Sequence, residues 1–215
     1  MMDTTLTARA VMTRSPVIPV LSIARAADAA PLARALVDGG LEVLEVTFRT
    51  PAAEAALRAM REAVPDAYVG AGTVLSAADL DRAIKADAQF AIAPGLTISL
   101  VEAAARAPIP VIPGVATASE MMRALDAGVT HVKFFPAEAA GGVKALKALA
   151  GPLPHMRVCP TGGVSRANMR DYLAVETVLC VGGSWIVPDD ALADGDYGRI
   201  TDLARDVVQA AQAGP

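Results

Sequence analysis

The chain has 215 residues, 53% hydrophobic and 20% charged, enough apolar material for one globular domain spanning 1–215 and too little charge for a disordered chain. A formal net charge of -4 points away from nucleic acid as the main partner. The longest stretch without a charged residue, Ala88 to Val101, has 14 residues interrupted by Pro94 and Gly95, short of the ~18 that a membrane span needs.

In chain order, the segment Met1 to Arg14 carries Asp3 among polar residues and no apolar secretory core; a helix is expected over Leu6–Met12. Short Val/Ile-rich runs follow at Val17–Ile23, Leu41–Phe48, Tyr68–Val74 and Phe90–Ala93, then at Val111–Val115, His131–Phe135, Arg157–Thr161 and Thr177–Val181. Alanine-rich amphipathic segments separate them. Pro51–Val64 opens with an early proline, Ser76–Ala86 with Ser76 as N-cap and Asp79 three residues on, and Met121–Ala127 behind the capping-box sequence Thr117-Ala118-Ser119-Glu120. Gly39-Gly40 and Gly128 stand where helices should end. A closing helix is expected over Tyr197–Ala213.

Strand starts recur about every 20–27 residues, the spacing of compact βα units with parallel strands. Eight such units predict a single (β/α)8 TIM barrel with an extra N-terminal helix and a C-terminal helix. A doubly wound open sheet is the alternative, but Ser22-Ile23-Ala24-Arg25 follows the first strand without a glycine, and Gly70-Ala71-Gly72-Thr73 lacks the third glycine of a dinucleotide turn. Cys159 and Cys180 fall in separate strand-like runs, which suits buried free thiols in a reducing cytoplasm.

Of the four lysines, Lys85, Lys144 and Lys147 lie in helix-like surface stretches, whereas Lys133 lies inside His131-Val132-Lys133-Phe134-Phe135-Pro136. Lysine is depleted in strands and is rarely buried without a partner. Burial among apolar side chains favours the neutral amine, which attacks carbonyls, so Lys133 is a candidate Schiff-base nucleophile. The ordinary alternative is a strand-end lysine whose ammonium reaches water.

In a βα barrel the chemistry sits at the C-terminal strand ends. Those ends carry Glu45 and Arg49, Thr73, Pro94, Lys133 with Phe135, Thr161-Gly162-Gly163, and Gly182-Gly183-Ser184. Alternation puts Glu45, Thr47 and Arg49 on one face of their strand, and Lys133 and Phe135 on one face of theirs. A carboxylate, a guanidinium and an amine should thus converge. Lys133 can form an imine with a ketone, Glu45 can move protons beside it, and Arg49 offers a fork for a substrate carboxylate. The two glycine pairs end the seventh and eighth runs, where barrels bind phosphate through backbone N–H groups. Two histidines and scattered carboxylates give no metal-ligand spacing, and no cofactor motif is present. His131 is expected as a satisfied core histidine.

Several of these segments resemble the 2-keto-3-deoxy-6-phosphogluconate and 4-hydroxy-2-oxoglutarate aldolase family. The similar pieces include Leu44-Glu45-Val46-Thr47-Phe48-Arg49-Thr50, Gly70-Ala71-Gly72-Thr73-Val74, Lys133-Phe134-Phe135-Pro136-Ala137-Glu138, Cys159-Pro160-Thr161-Gly162-Gly163 and Gly182-Gly183-Ser184-Trp185. The resemblance implies a cofactor-free class I aldolase, usually a homotrimer, that splits a phosphorylated keto acid into pyruvate and glyceraldehyde 3-phosphate. By position it makes Lys133 the Schiff-base lysine and Glu45 the general acid/base. Arg49 and Thr73 would hold the pyruvyl carboxylate, and Pro94 and Phe135 would wall its methyl group. Thr161 would lie by the substrate hydroxyls, with Gly162, Gly163 and Ser184 on the phosphate side. Open alternatives are 4-hydroxy-2-oxoglutarate or a phosphogalactonate as main substrate, and a phosphate-binding barrel that works as isomerase or decarboxylase without covalent chemistry.

Overall fold

The valine- and isoleucine-rich runs form parallel strands, and the alanine-rich segments form helices laid against them. A computed structural model describes residues 6–212. Helix α1 (Ala8–Arg14) precedes strand β1 (Val17–Leu21). Then come α2 (Ala29–Asp38), β2 (Val43–Thr47), α3 (Ala53–Ala63), β3 (Tyr68–Gly72), α4 (Ala77–Lys85), β4 (Ala91–Ile92) and α5 (Ile98–Ala104). The second half runs β5 (Val111–Ile112), β6 (Gly114–Val115), α6 (Ala118–Asp126), β7 (His131–Phe134), α7 (Gly142–Ala150) and β8 (Arg157–Pro160). It ends with α8 (Met169–Leu173), β9 (Val181–Gly183), α9 (Asp189–Ala193) and α10 (Tyr197–Gln212). The expected last residue of the closing helix, position 213, lies outside the described residues, as do positions 1–5 of the N-terminal segment.

The helix starts follow their capping chemistry. Asp79 N–H donates to Ser76 Oγ (3.2 Å) at the head of α4. At α6, Glu120 N–H donates to Thr117 Oγ1 (3.3 Å), while Glu120 Oε2 accepts from Ala116 N–H (2.8 Å) and Thr117 N–H (2.9 Å), a complete capping box.

The expected closed eight-stranded barrel is not what forms. The strands make two sheets, a curled six-stranded one in the order β5-β4-β3-β2-β1-β9 and a three-stranded one in the order β6-β7-β8. Two local causes account for the difference. Pro113 has no N–H and splits the run Val111–Val115, so that β5 pairs with β4 and β6 pairs with β7. Between β8 and the last run only isolated bridges occur, Val158 with Val178 and Thr161 with Gly182. The last strand is also displaced along the chain. Regular pairing with β1 covers Val181–Gly183, where Val17, Ile18 and Pro19 lie opposite, and so shares only Val181 with the expected run Thr177–Val181.

Alternation then sorts the side chains. Leu44, Val46, Val69, Ala71, Ala91, Val132, Phe134, Val158 and Val181 point toward the helices and join Leu32, Leu36, Leu57, Met60 and Leu80 in one apolar cluster. The opposite face of the same strands presents Ile18, Val43, Phe90, Ile92, Ile112, Cys159 and Cys180, which pack with Val11 and Met12 of α1. Helix α1 therefore seals the N-terminal end of the concave face, and each fully buried side chain there contributes about 1.5–3 kcal/mol. What this inner cluster leaves open is the C-terminal end.

Candidate active site

Toward the C-terminal end, the inner face changes from apolar to polar within one side-chain step. Glu45 stands two residues beyond Val43 on β2, and Lys133 two residues beyond His131 on β7. Both are nearly excluded from water, Glu45 at 2% and Lys133 at 5% exposure. Lys133 Nζ donates to Glu45 Oε1 across the concave face at 3.2 Å. Such a pair tolerates burial only because each charge has the other; removing one partner leaves a charge stranded. Space for the carboxylate comes from Gly72 on β3, where a Cβ would lie 2.2 Å from Glu45 Oε1. On the other flank Gly114, in register with Lys133, lies so close to the Pro94 carbonyl that a Cβ would stand 2.2 Å from its oxygen.

One step further out, Thr47, Phe135 and Thr161 rim a cavity of about 400 Å³, together with Arg49, Gly162, Gly163 and Ser184. The Phe135 ring lines this cavity, and Lys133 Nζ stands over it 5.3 Å from its centroid. Arg49 Nε donates to Thr73 Oγ1 (3.3 Å), which fixes the guanidinium at the rim, and Thr73 holds a left-handed backbone (φ 60) to present that hydroxyl. Thr47 Oγ1 donates to Leu21 O (2.8 Å) and Thr50 Oγ1 to Ile23 O (2.5 Å), tying the β2 end to the segment after β1.

The glycine-rich side is built from backbone. Gly162 (φ +96) and Gly163 (φ +80) adopt a conformation that side chains disfavour, and the following segment returns to Ser165 and α8. Gly182 and Gly183 are required by space: a Cβ would meet Thr161 Oγ1 at 2.3 Å and the Trp185 ring at 1.7 Å. Ser184 is exposed at the cavity edge.

Thus the structure gathers all ten sequence-predicted residues at one end of the sheets. Six of them (Arg49, Phe135, Thr161, Gly162, Gly163, Ser184) line the cavity. Lys133 and Glu45 lie one layer below, Thr73 is reached through Arg49, and Pro94 through Gly114. Among the described residues, no cluster of three or more His, Cys, Asp or Glu side chains is arranged to hold a metal ion. No helix among them is long and apolar enough to cross a membrane.

The family model for KDPG and KHG aldolases matches residues 8–203. The chain belongs to this family. It is an aldolase, and so a lyase. A KHG/KDPG aldolase of Escherichia coli K12 is 56% identical over 205 residues, covering 95% of this chain and 96% of the relative. A crystal structure of the Legionella pneumophila KDPG aldolase, with pyruvate captured at low pH as a covalent carbinolamine intermediate, superposes with a TM-score of 0.92 at 48% identity. It covers 94% of this chain and 98% of that one. The Zymomonas mobilis ZM4 enzyme with 3-phosphoglycerate gives 0.89 at 47% identity, covering 96% and 98%.

The aldolase cavity also has walls that the sequence patterns did not single out. Ser22 and Ile23, after β1, line it beside Val187, Asp189 and Leu192 in and just before α9. The threonines of Thr47-Phe48-Arg49-Thr50 were the available signal, because both reach back to that segment. The two buried thiols play no visible part here. Cys180 is pushed well above its ordinary pKa by its hydrogen bond with Cys159 and by burial, which keeps it an unreactive thiol. His131 is only half satisfied: Nδ1 contacts Thr130 Oγ1 (3.0 Å), while Nε2 is buried with no hydrogen-bond partner among the described residues.

Proposed function

We propose that this aldolase cleaves 2-dehydro-3-deoxy-6-phosphogluconate into pyruvate and D-glyceraldehyde 3-phosphate through an imine on Lys133. The observation that carries the reading is the water-excluded Lys133–Glu45 contact at 3.2 Å, one layer below a cavity rimmed by a guanidinium and a glycine loop. Lys133, as the neutral amine, attacks the C2 ketone. The carbinolamine takes a proton, loses water and leaves a protonated imine. Glu45, directly or through water, then removes the C4 hydroxyl proton. The C3–C4 bond breaks, its electron pair moves into the imine to form an enamine, and the aldehyde departs. A proton returned to C3, followed by hydrolysis, frees pyruvate and Lys133.

The other residues divide the substrate between them. Arg49, steadied by Thr73, holds the pyruvyl carboxylate, and Pro94 and Phe135 wall the carbon that becomes the methyl group. Thr161 lies by the hydroxyls. Gly162 and Gly163 N–H groups and the Ser184 hydroxyl take the phosphate. The covalent pyruvate of the Legionella enzyme supports the imine half, and the 3-phosphoglycerate of the Zymomonas enzyme supports the phosphate half. The name of the Escherichia coli relative supports 4-hydroxy-2-oxoglutarate, cleaved to pyruvate and glyoxylate, as a second substrate.

Borohydride reduction with pyruvate, followed by mass spectrometry of the digest, tests the central step. A reduced pyruvyl adduct on Lys133 is expected. Bound pyruvate with no adduct there would overturn the covalent mechanism. We propose further that the enzyme works as a cytoplasmic homotrimer. The exposed Leu75, Ile98 and Met122 (59%, 76% and 56%) support burial against other copies, and a sedimentation mass of three chains is expected.

A further inference from the structure

The segment that follows Lys133 does more than end a strand. Past Phe135-Pro136, Ala137 N–H donates to Thr161 O (2.8 Å) and Glu138 N–H to Gly162 O (3.0 Å), so it extends the β7–β8 pairing onto the glycine loop. The Glu138 side chain then lies flat on that loop: a Cβ on Gly163 would stand 2.5 Å from Glu138 Cγ. Its carboxylate turns away from the cavity to the fully buried Tyr172, whose hydroxyl donates to Glu138 Oε1. Asn168 Nδ2 donates both to the same oxygen (3.5 Å) and to Gly163 O (3.2 Å), while Asn168 Oδ1 accepts from Ser165 N–H (2.8 Å). Gly162 and Gly163 have no side chains to fix their left-handed backbone, so the contacts behind them must do it.

We propose that Glu138 is a positioning residue for the phosphate-binding loop, its stem pressed on Gly163 and its carboxylate anchored by Tyr172 and Asn168. This rests on the reading of Gly162, Gly163 and Ser184 as the phosphate side. The chemistry speaks for position over charge. A carboxylate beside a loop that binds a dianion is unfavourable electrostatically, so its presence needs another use. The Tyr172 hydroxyl is raised above its ordinary pKa by burial and by Glu138, and so stays a donor throughout the neutral range. Truncation of Glu138 should loosen the loop without touching the imine end: Lys133 lies on the same segment but is held five residues earlier by β7's pairing with β6 and β8, and Glu45 and Arg49 belong to β2 and the turn after it.

The test compares KM for the phosphorylated substrate with the pyruvate concentration that half-saturates borohydride trapping, which involves no phosphate. Glu138→Ala should raise KM about tenfold, while half-saturation by pyruvate stays within about twofold. Glu138→Gln keeps the stem and an acceptor for Tyr172, and KM should stay within about threefold of wild type. Tyr172→Phe, which preserves ring packing, should raise KM in the same direction as Glu138→Ala and serves if that variant does not fold. Ser184→Ala separates the two layers of the argument. If it raises KM and Glu138→Ala and Tyr172→Phe do not, Glu138 does not position the loop, although the phosphate reading stands. If Ser184→Ala leaves KM unchanged, the phosphate reading fails and takes this inference with it. An equal rise in KM and in half-saturation by pyruvate would make Glu138 a scaffold residue, and a Gln variant that binds better than wild type would make its charge the relevant property.

Discussion

The two ends of the substrate cavity are built from different materials. At the inner end, Lys133 and Glu45 are side chains on strands of the two different sheets, 5% and 2% exposed, facing each other across the concave side. At the outer end, Gly163 and Ser184 are exposed, and the groups offered to a ligand are backbone and a hydroxyl. The difference follows from what each end does in the proposed reaction. An amine that attacks a ketone needs an environment that can take its proton and exclude water, which only buried side chains provide. A phosphate needs several donors and remains partly hydrated, which a loop at the rim provides. Damage at the inner end should therefore appear in the chemical step, and damage at the outer end in binding.

The strongest way to break that division is at Lys133. Lys133→Ala removes the atom that forms the imine, and cleavage should fall by roughly four orders of magnitude or more, to the assay floor. The variant also strands the Glu45 carboxylate, at a stability penalty of about 3–5 kcal/mol unless it takes up a proton. A thermal melt in parallel separates lost chemistry from lost fold. Retained cleavage in folded Lys133→Arg, which cannot form the imine, is the outcome that rules out the covalent route.

Glu45→Gln divides the inner end itself. If Glu45 only moves protons, kcat should drop about 10²–10⁴-fold while the Lys133 adduct with pyruvate still forms under borohydride. Loss of the adduct together with turnover would mean that Glu45 is needed to make the amine reactive in the first place. Normal turnover would remove it from the mechanism. Gly72 belongs to the same experiment, since any side chain there competes with the carboxylate for space.

How far the sequence reveals these two ends depends on how local their causes are. Lys133 is conspicuous because a lysine in an apolar strand contradicts its own propensity, and alternation suffices to set Glu45 on the inner face of β2, whereas Arg49 and Phe135 reach the cavity from turns past the ends of β2 and β7. The caps at Ser76 and Thr117 were readable because a cap is decided within four residues. Sheet closure was not. Pro113 was visible inside Val111–Val115, yet its missing N–H decides which neighbour each half of the run pairs with, and that depends on strands far away in the chain. The last strand was misplaced because Gly182-Gly183 has poor strand propensity. It pairs with β1 there all the same, and the positions are glycine because Thr161 and Trp185 occupy the space side chains would need. The contact between Tyr172 and Glu138 joins positions 34 apart and left no trace in any periodicity.

The smallest expected effect lies away from both ends and marks the scaffold's share. Glu120 closes the capping box of α6, and its carboxyl is held below its ordinary value near 4.5, first by the Ala116 N–H and then by the Thr117 hydroxyl and N–H. A carboxyl with a lowered folded pKa stabilises the fold where it is ionised, above its unfolded pKa. That contribution is lost as pH falls through the folded value. Glu120→Ala should therefore lower stability by about 1 kcal/mol at neutral pH, or roughly 2–4 °C in Tm. The gap from wild type should shrink as pH falls below the ordinary value and through the lowered folded one, where the wild-type carboxyl becomes protonated too. Thermal melts of both proteins at neutral and acid pH measure it, with kcat and KM unchanged for both substrates. A gap that persists in acid would assign the cap's contribution to packing of the Glu120 stem and not to its charge.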